Sequence, residues 1–411
     1  MSKYLSFYGG DRAISIIKEH GGLTQDIVKV VAGAAGGPKW LILGAMDRFL
    51  FSEFFAKRLE PLFLIGSSAG AWRFAAASHN DPAKALEKFF DSYIHQWYSI
   101  KPTLDEIDVE CKKVLDKFLD DSSVNQILNH LYCRINFFSV RSKLDFTNQN
   151  PISPNQDPIS SNQNPISSNQ NSISSNKSSV LNSINDNPIV LVSYIMAAAI
   201  ANLFNRRNMR HFFTRTLFHH PSKKPPFYDM DKVSGKDNFP MLKVPLTSGN
   251  FKKALLSSGS IPLVMPCIKD IPQAPKGVYR DGGTIDYHLD IPFLSENSDK
   301  IVLFPHYTDR IVPGWLDKHI TWRKPDPDNF RNVLLITPTK KFTDMLPGGK
   351  IPERQDFQTF KGKNRERIQR WKIALKYSEI LGDELCRVFY SQTIDQSIQP
   401  IERIIKSKLS Y

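Results

Sequence analysis

The clearest pattern along the chain is a set of short apolar runs, each ending in glycines and leading into a stretch of helical character. Ile27-Val28-Lys29-Val30-Val31-Ala32 passes into Gly33-Ala34-Ala35-Gly36-Gly37-Pro38-Lys39-Trp40 and then Leu41-Ile42-Leu43. Leu62-Phe63-Leu64-Ile65 passes into Gly66-Ser67-Ser68-Ala69-Gly70 and an alanine-rich segment ending at Ala77. Both runs predict buried strands, and the glycines predict the turns that carry each strand into a helix. Gly277-Val278-Tyr279-Arg280-Asp281 and Ile301-Val302-Leu303-Phe304-Pro305 predict two more strands, the first delivering a carboxylate onto the glycine turn Gly282-Gly283.

Two longer segments carry helical patterns. Arg365 to Leu385 places Ile368, Trp371, Leu375, Ser378 and Leu381 near one face, with Arg367, Arg370, Lys372 and Lys376 on a face expected to be solvated. Ile189 to Phe204 is nearly uncharged and is followed by Arg206, Arg207, Arg210 and Arg215. It falls short of the roughly twenty apolar residues that span a bilayer, so it predicts a helix buried in the core or covering an apolar substrate cavity. A membrane-docking helix with the arginines at lipid headgroups is the competing reading.

Between these regions the unit Asn148-Gln149-Asn150-Pro151-Ile152-Ser153-Pro154 recurs with small changes from Asn155, Asn162 and Asn169. The seven-residue period does not make a coiled coil, because each unit has a single aliphatic residue and most have a proline. A disordered insertion at 146–186 is expected, which a folded domain tolerates because loop-closure entropy grows slowly with length.

The 411 residues, 41% of them hydrophobic, suffice for a sizeable core. The excess of 54 Lys and Arg over 41 Asp and Glu favours an anionic partner, phospholipid or nucleic acid. No zinc-finger spacing, RNP-type motif or basic heptad region is present, so lipid moves ahead and no nucleic-acid partner is expected. Cys111, Cys133, Cys267 and Cys386 are scattered, which predicts neither a zinc site nor a disulfide framework. The first residues lack the basic-then-apolar pattern of a signal peptide, so a cytoplasmic location is expected, with peripheral membrane contact and signal-independent export left open.

The chemistry concentrates at Gly66-Ser67-Ser68-Ala69-Gly70. A G-x-S-x-G turn between strand and helix needs small residues where the backbone bends, and it exposes the central serine, here Ser68, at a helix N-terminus. A tightly packed Gly/Ser turn without chemistry is the plain alternative. A serine nucleophile also needs oxyanion donors. The amides of Gly36 and Gly37 are the candidates, since Pro38 has no N–H, and Lys39 adds positive charge. A phosphate loop is the competing reading, but neither this segment nor Leu346-Pro347-Gly348-Gly349-Lys350 fits the dinucleotide or P-loop patterns. For the base, His306 after its apolar run would suit a Ser-His-Asp triad and His288 is a second histidine, while Asp281 on its glycine turn is the sharper candidate. Ser67 and Ser258 read as hydrogen-bonding turn residues. Phe89, Phe90, Tyr93, Trp97 and Tyr98 read as core, or as the lining of an acyl channel.

Taken in order, Gly36-Gly37-Pro38-Lys39, Gly66-Ser67-Ser68-Ala69-Gly70, Ser257-Ser258-Gly259-Ser260-Ile261-Pro262 and Asp281-Gly282-Gly283 resemble the motifs of patatin-like phospholipases over about residues 27 to 295. The chain departs from the family in having Ala34-Ala35 where glycines are usual and Trp40 where a glycine is common.

The resemblance implies an α/β fold, a three-layer α/β/α patatin-like arrangement with a mainly parallel central sheet. It implies a hydrolase domain over 27–295 that contains the insertion, an N-terminal extension at 1–26, and a C-terminal extension at 296–411 packed on the domain. It further implies a Ser-Asp dyad, Ser68 as nucleophile and Asp281 as its base, with Gly36 and Gly37 as the oxyanion hole and Lys39 beside the substrate. Such a site needs neither metal nor organic cofactor. Its substrate would be a phospholipid or other acyl ester met at an anionic membrane surface, cleaved as by a phospholipase A or lysophospholipase. A neutral-lipid lipase, thioesterase or acyltransferase would share the dyad. A silent lipid- or partner-binding protein would share only the fold.

Overall fold

The computed structural model describes residues 2–144, 188–232 and 239–405. The expected insertion at 146–186 lies outside them. The described residues form a mixed α/β protein built on a large, mostly parallel sheet with helices, compatible with a three-layer α/β/α arrangement.

Eleven strands are found among the described residues: β1 (Leu5–Gly9), β2 (Val28–Gly33), β3 (Leu62–Ser67), β4 (Cys133–Ser142), β5 (Phe213–His219), β6 (Met241–Pro245), β7 (Ile268–Lys269), β8 (Val278–Asp281), β9 (Ile301–Pro305), β10 (Val333–Pro338) and β11 (Ile398–Pro400). The main order is β11-β1-β10-β9-β2-β3-β4-β5-β6. From β10 through β4 the neighbours are parallel, and each of β2, β3 and β9 is almost entirely buried, as expected of strands covered on both faces. That is why these runs are uniformly apolar rather than alternating.

One topological detail builds the site. Strand β4 is long enough to carry two partners in line along one edge. Its first part pairs in parallel with β3, ending at Ser67↔Phe138. Its second part pairs antiparallel with β8, ending at Ser139↔Asp281. Strands β3 and β8 therefore run toward each other along the same edge, and their ends meet at adjacent residues of β4.

The sheet extends beyond residues 27–295. Strand β1 pairs with β10 and β11, and β9 lies between β10 and β2, so residues from both 1–26 and 296–411 enter the central sheet itself. The long helix Asn364–Tyr390 buries Trp371, Leu381 and Leu385, and its Ser378 Oγ accepts the Ala45 N–H at 3.2 Å. The expectation of a solvated basic face fails at Arg367, which is 1% exposed. Its guanidinium lies 4.5 Å from the Trp371 ring and 4.8 Å from the Phe357 ring and donates to the carbonyls of Ile94 and Gln96. These partners replace water, which makes the burial of the charge tolerable.

The segment from Ile189 lies in a helix, Pro188–Phe204, with a divided environment. Ile195, Ala198 and Asn202 are buried, but Ile189, Val192, Met196, Ile200 and Leu203 face outward along one stripe. The core-helix expectation thus holds for one side only. Of the arginines that follow, Arg206 and Arg215 are buried in ion pairs with Asp317 and Asp286, while Arg207 and Arg210 are exposed. No described helix is long and apolar enough to cross a membrane.

Candidate active site

The elbow is built by close packing. A Cβ on Gly66 would lie 2.5 Å from the Ala71 amide nitrogen, and one on Gly70 would lie 2.0 Å from the Gly33 carbonyl oxygen, so larger residues at either position would force the helix off the sheet. The elbow helix Ala69–Ala77 is buried along its whole length, with Arg73 neutralised by a two-pronged pair to Asp47 at 2.6 and 2.7 Å.

Ser68 sits at φ 53° and ψ −121°, a conformation that costs a non-glycine residue on the order of 1–3 kcal/mol. Several bonds hold it there. The Ser68 N–H donates to Ser258 Oγ at 3.1 Å, Ser258 Oγ donates to the Phe138 carbonyl at 2.6 Å, and the Ser68 carbonyl accepts the Ala71 N–H at 3.0 Å. Two residues on, the Ser260 carbonyl accepts the Asp281 N–H at 3.0 Å. The segment Ser257–Ser260 therefore clamps the two strand ends together, which is the hydrogen-bonding part expected of Ser258.

Within this frame the Ser68 hydroxyl donates to Asp281 Oδ2 at 2.7 Å, and Asp281 Oδ1 accepts the Gly283 N–H at 2.6 Å. Burial dominates the electrostatics and raises the Asp281 pKa to about 6; the Ser68 and Gly283 bonds and the more distant Arg354 and Lys318 pull the other way without cancelling it. The carboxylate is thus ionised near neutrality yet more basic than an ordinary aspartate.

Gly36 and Gly37 follow β2 with φ of 156° and 58°, and both line the space beside Ser68 and Asp281. The preceding residue is fixed from both sides: the Ala35 N–H donates to the Tyr287 carbonyl at 2.9 Å, and the Tyr307 hydroxyl donates to the Ala35 carbonyl at 2.7 Å. His288 completes this tether. It accepts the Val312 N–H on Nδ1 at 2.9 Å, which leaves Nε2–H to donate to the Tyr307 hydroxyl at 2.7 Å. His306 packs against the His288 ring at 4.4 Å, and burial lowers its pKa to about 3. Neither histidine bonds to Ser68 or Asp281 among the described residues. The physical reason is the strand order: β9 is separated from β3 by β2, so the residue after β9 emerges two strand spacings, about 10 Å, from the elbow.

Ser68 lies on the wall shared by two cavities. One, of about 420 Å³, is lined mainly by apolar groups including Trp72, Tyr93, Ile107, Val114, Met265 and Phe357. Of the aromatic residues expected to be core or channel, Tyr93 and Tyr98 line this cavity, Phe89 and Phe90 are core, and Trp97 is exposed. Trp40 stacks on Phe89 at 4.6 Å behind the wall.

The other cavity, of about 630 Å³, holds Lys39, Lys318 and Arg354 together with Asp281 and the two loop glycines. Lys39 is half-buried with a lowered pKa, and burial together with Arg354 and Lys39 brings Lys318 down to about 8. Lys318 and Arg354 carry no local motif, and sequence reasoning missed them. In Leu346–Lys350, weighed as a phosphate loop, Leu346 is buried in the core and Pro347–Gly349 form a surface turn, with Lys350 paired to Glu353 at 3.1 Å. Among the described residues, no group of three His, Cys, Asp or Glu side chains is arranged to hold a metal ion. Compared with known proteins, the chain matches no family model, no curated protein and no solved structure.

Proposed function

We propose that the protein is a lipid acyl hydrolase of patatin-like type, cleaving fatty-acyl esters of phospholipids or lysophospholipids through a Ser68–Asp281 dyad. The observation that carries this reading is the 2.7 Å bond between Ser68 Oγ and the buried Asp281 carboxylate on a strained strand-to-helix turn, between an apolar and a cationic cavity. The order of the four glycine- and serine-rich motifs supports the family assignment, and the large, mostly parallel sheet is compatible with it.

In this mechanism Ser68 Oγ attacks the ester carbonyl while its proton passes to Asp281 Oδ2. The carbonyl oxygen becomes an oxyanion facing the Gly36 and Gly37 amides, which can approach it closely because neither residue carries a Cβ. Collapse breaks the bond to the leaving alcohol, and Asp281 returns the proton to that oxygen. Water then gives a proton to Asp281 and attacks the acyl-enzyme, and collapse releases the fatty acid and restores Ser68–OH. The raised pKa of Asp281 suits both proton transfers, and the elbow helix directs its positive end at Ser68. The apolar cavity takes the acyl chain.

The outward stripe of the helix Pro188–Phe204, with exposed Arg207 and Arg210 at its end, supports contact with an anionic lipid surface; Ala199 of the same helix lines the cationic cavity. Hydrolysis of defined phospholipids, lysophospholipids and triacylglycerol by wild type and Ser68→Ala tests the proposal. A fatty-acid product that disappears in the variant is expected. Product that persists in Ser68→Ala, or none from any lipid, would sink it.

A further inference from the structure

The cationic cavity contains more charge than the dyad uses. Lys39 comes from the glycine loop, Lys318 from the turn after Asp317, and Arg354 from the segment preceding the short helix Asp356–Thr359. Each cation is set over an aromatic ring: Lys39 Nζ lies 5.3 Å from the Tyr307 centroid, Lys318 Nζ 4.2 Å from that of Tyr287, and the Arg354 guanidinium 5.9 Å from that of Trp315. None of the three is in a salt bridge among the described residues, and Glu353 in the same wall is engaged by Lys350.

These supports are themselves fixed. Buried Asp317 accepts from Asn202 at 2.7 Å, Arg323 at 3.0 Å and Arg206 at 3.1 Å, which anchors the turn that presents Lys318. Tyr287 is tied through its own backbone to Ala35 and Pro313.

We propose that this cavity receives a phosphate monoester dianion carried by the acyl-ester substrate, so that the preferred substrates are lipids of phosphatidate and lysophosphatidate type. The proposal rests on the acyl hydrolase reading and assigns the leaving-group side of the same site. A guanidinium fork and two ammonium point charges match the oxygens of a terminal phosphate, and their partial burial strengthens that attraction. A choline head is disfavoured twice. It would bring a cation among three cations, and the rings in the wall that could cage it, Tyr287 and Trp315, are already covered by the protein's own cations.

The test uses the full chain in neutral-detergent micelles held at one fixed surface charge, with lysophosphatidate and lysophosphatidylcholine of the same acyl chain. The expected result is a preference of about tenfold or more in kcat/KM for the phosphate monoester, expressed in KM. It should fall to within about twofold in the Lys318→Gln/Arg354→Gln variant. Equal kcat/KM in the wild type, or a preference that survives the double substitution, overturns the proposal.

Calorimetric titration of Ser68→Ala with glycerol 3-phosphate, inorganic phosphate and glycerophosphocholine reads the cavity without turnover. Saturable binding of glycerol 3-phosphate, at least about tenfold tighter than glycerophosphocholine, supports the anion site even where no ester is hydrolysed, in which case the hydrolase reading is what fails. Absence of phosphate binding overturns the proposal. Binding of inorganic phosphate as tight as glycerol 3-phosphate, with no lipid preference, assigns free phosphate as the occupant and overturns the head-group role. The wild-type and Ser68→Ala measurements keep the test decisive if the double variant fails to fold.

Discussion

Asp281 and Asp286 stand at the two ends of one short turn, both are buried, and they are held in opposite ways. Asp286 meets Arg215 in a two-pronged pair at 2.6 and 2.7 Å. Among the described residues the Asp281 carboxylate bonds only to the Ser68 hydroxyl and the Gly283 amide, with cations at a distance across the cavity. The same division recurs elsewhere, since buried Asp47 is paired with Arg73 and Asp317 with Arg206 and Arg323. A carboxylate locked to a guanidinium has both oxygens engaged and serves as a brace. A carboxylate buried with neutral donors keeps its basicity, as the pKa of about 6 at Asp281 expresses.

The largest effects should separate the two aspartates. Asp281→Asn preserves size and an acceptor for Gly283 N–H but cannot take the proton, so ester turnover should fall by roughly 10²–10⁴-fold. Its stability should move the other way. Below about pH 3 the Asp281 carboxyl is protonated in folded and unfolded chains alike; above about pH 7 it is ionised in both, and the folded state bears the cost of the buried charge. The substitution should therefore stabilise the fold at pH 8, by at most about 3 kcal/mol, with the gain vanishing toward about pH 3. Equal unfolding midpoints of variant and wild type at pH 8 would show that burial is not what raises this pKa.

Asp286→Asn should do the reverse. It leaves Arg215 buried beside a neutral amide, a change that typically costs about 3–5 kcal/mol in denaturant unfolding, while turnover per folded molecule stays within a few-fold. Loss of turnover without loss of stability in this variant would exchange the roles of the two residues.

The contrast also explains what could be read in advance. The elbow and the Asp281-Gly282-Gly283 turn were legible because their constraints are local: glycines are required where helix and strand approach within van der Waals contact, and those glycines stand next to the residues they serve. The cationic cavity was not legible, because Lys318 and Arg354 lie in irregular segments whose positions are set by strands joining the sheet from the far end of the chain. Strand β9 illustrates the same limit. Its apolar run was plain, but its place one strand beyond β2 was not, and that place decides that His306 misses Ser68. On the helix Pro188–Phe204 the uniform apolar composition carried no polar face to mark which side meets solvent.

A smaller, graded effect should come from proton concentration. With Asp281 as the base, kcat/KM on an uncharged ester should be level above about pH 7, reach half its plateau near pH 6 and approach a decline of about tenfold per pH unit below that, as the carboxyl takes up its proton. A profile that stays level down to pH 4.5 would mean that Asp281 is no more basic than an ordinary aspartate, and the role argued from its burial among neutral donors would fail.

The smallest effect should come from His306. A Ser-His-Asp triad would make it the general base, and its loss would then cost about 10²–10⁴-fold. Its surroundings argue otherwise. Burial holds its pKa near 3, its Nδ1–H donates to the Thr308 carbonyl at 2.5 Å, and its ring is packed against His288, Phe304 and Tyr307. A base so hard to protonate could not store the serine proton near neutral pH, even within reach. His306→Asn retains a donor for the Thr308 carbonyl and removes the ring, so stability should fall by about 1 kcal/mol while turnover remains within about threefold. If His306→Asn instead abolished hydrolysis and Asp281→Asn spared it, the proton would be moving through β9 rather than across the junction of β3 and β8, and the dyad would be wrong.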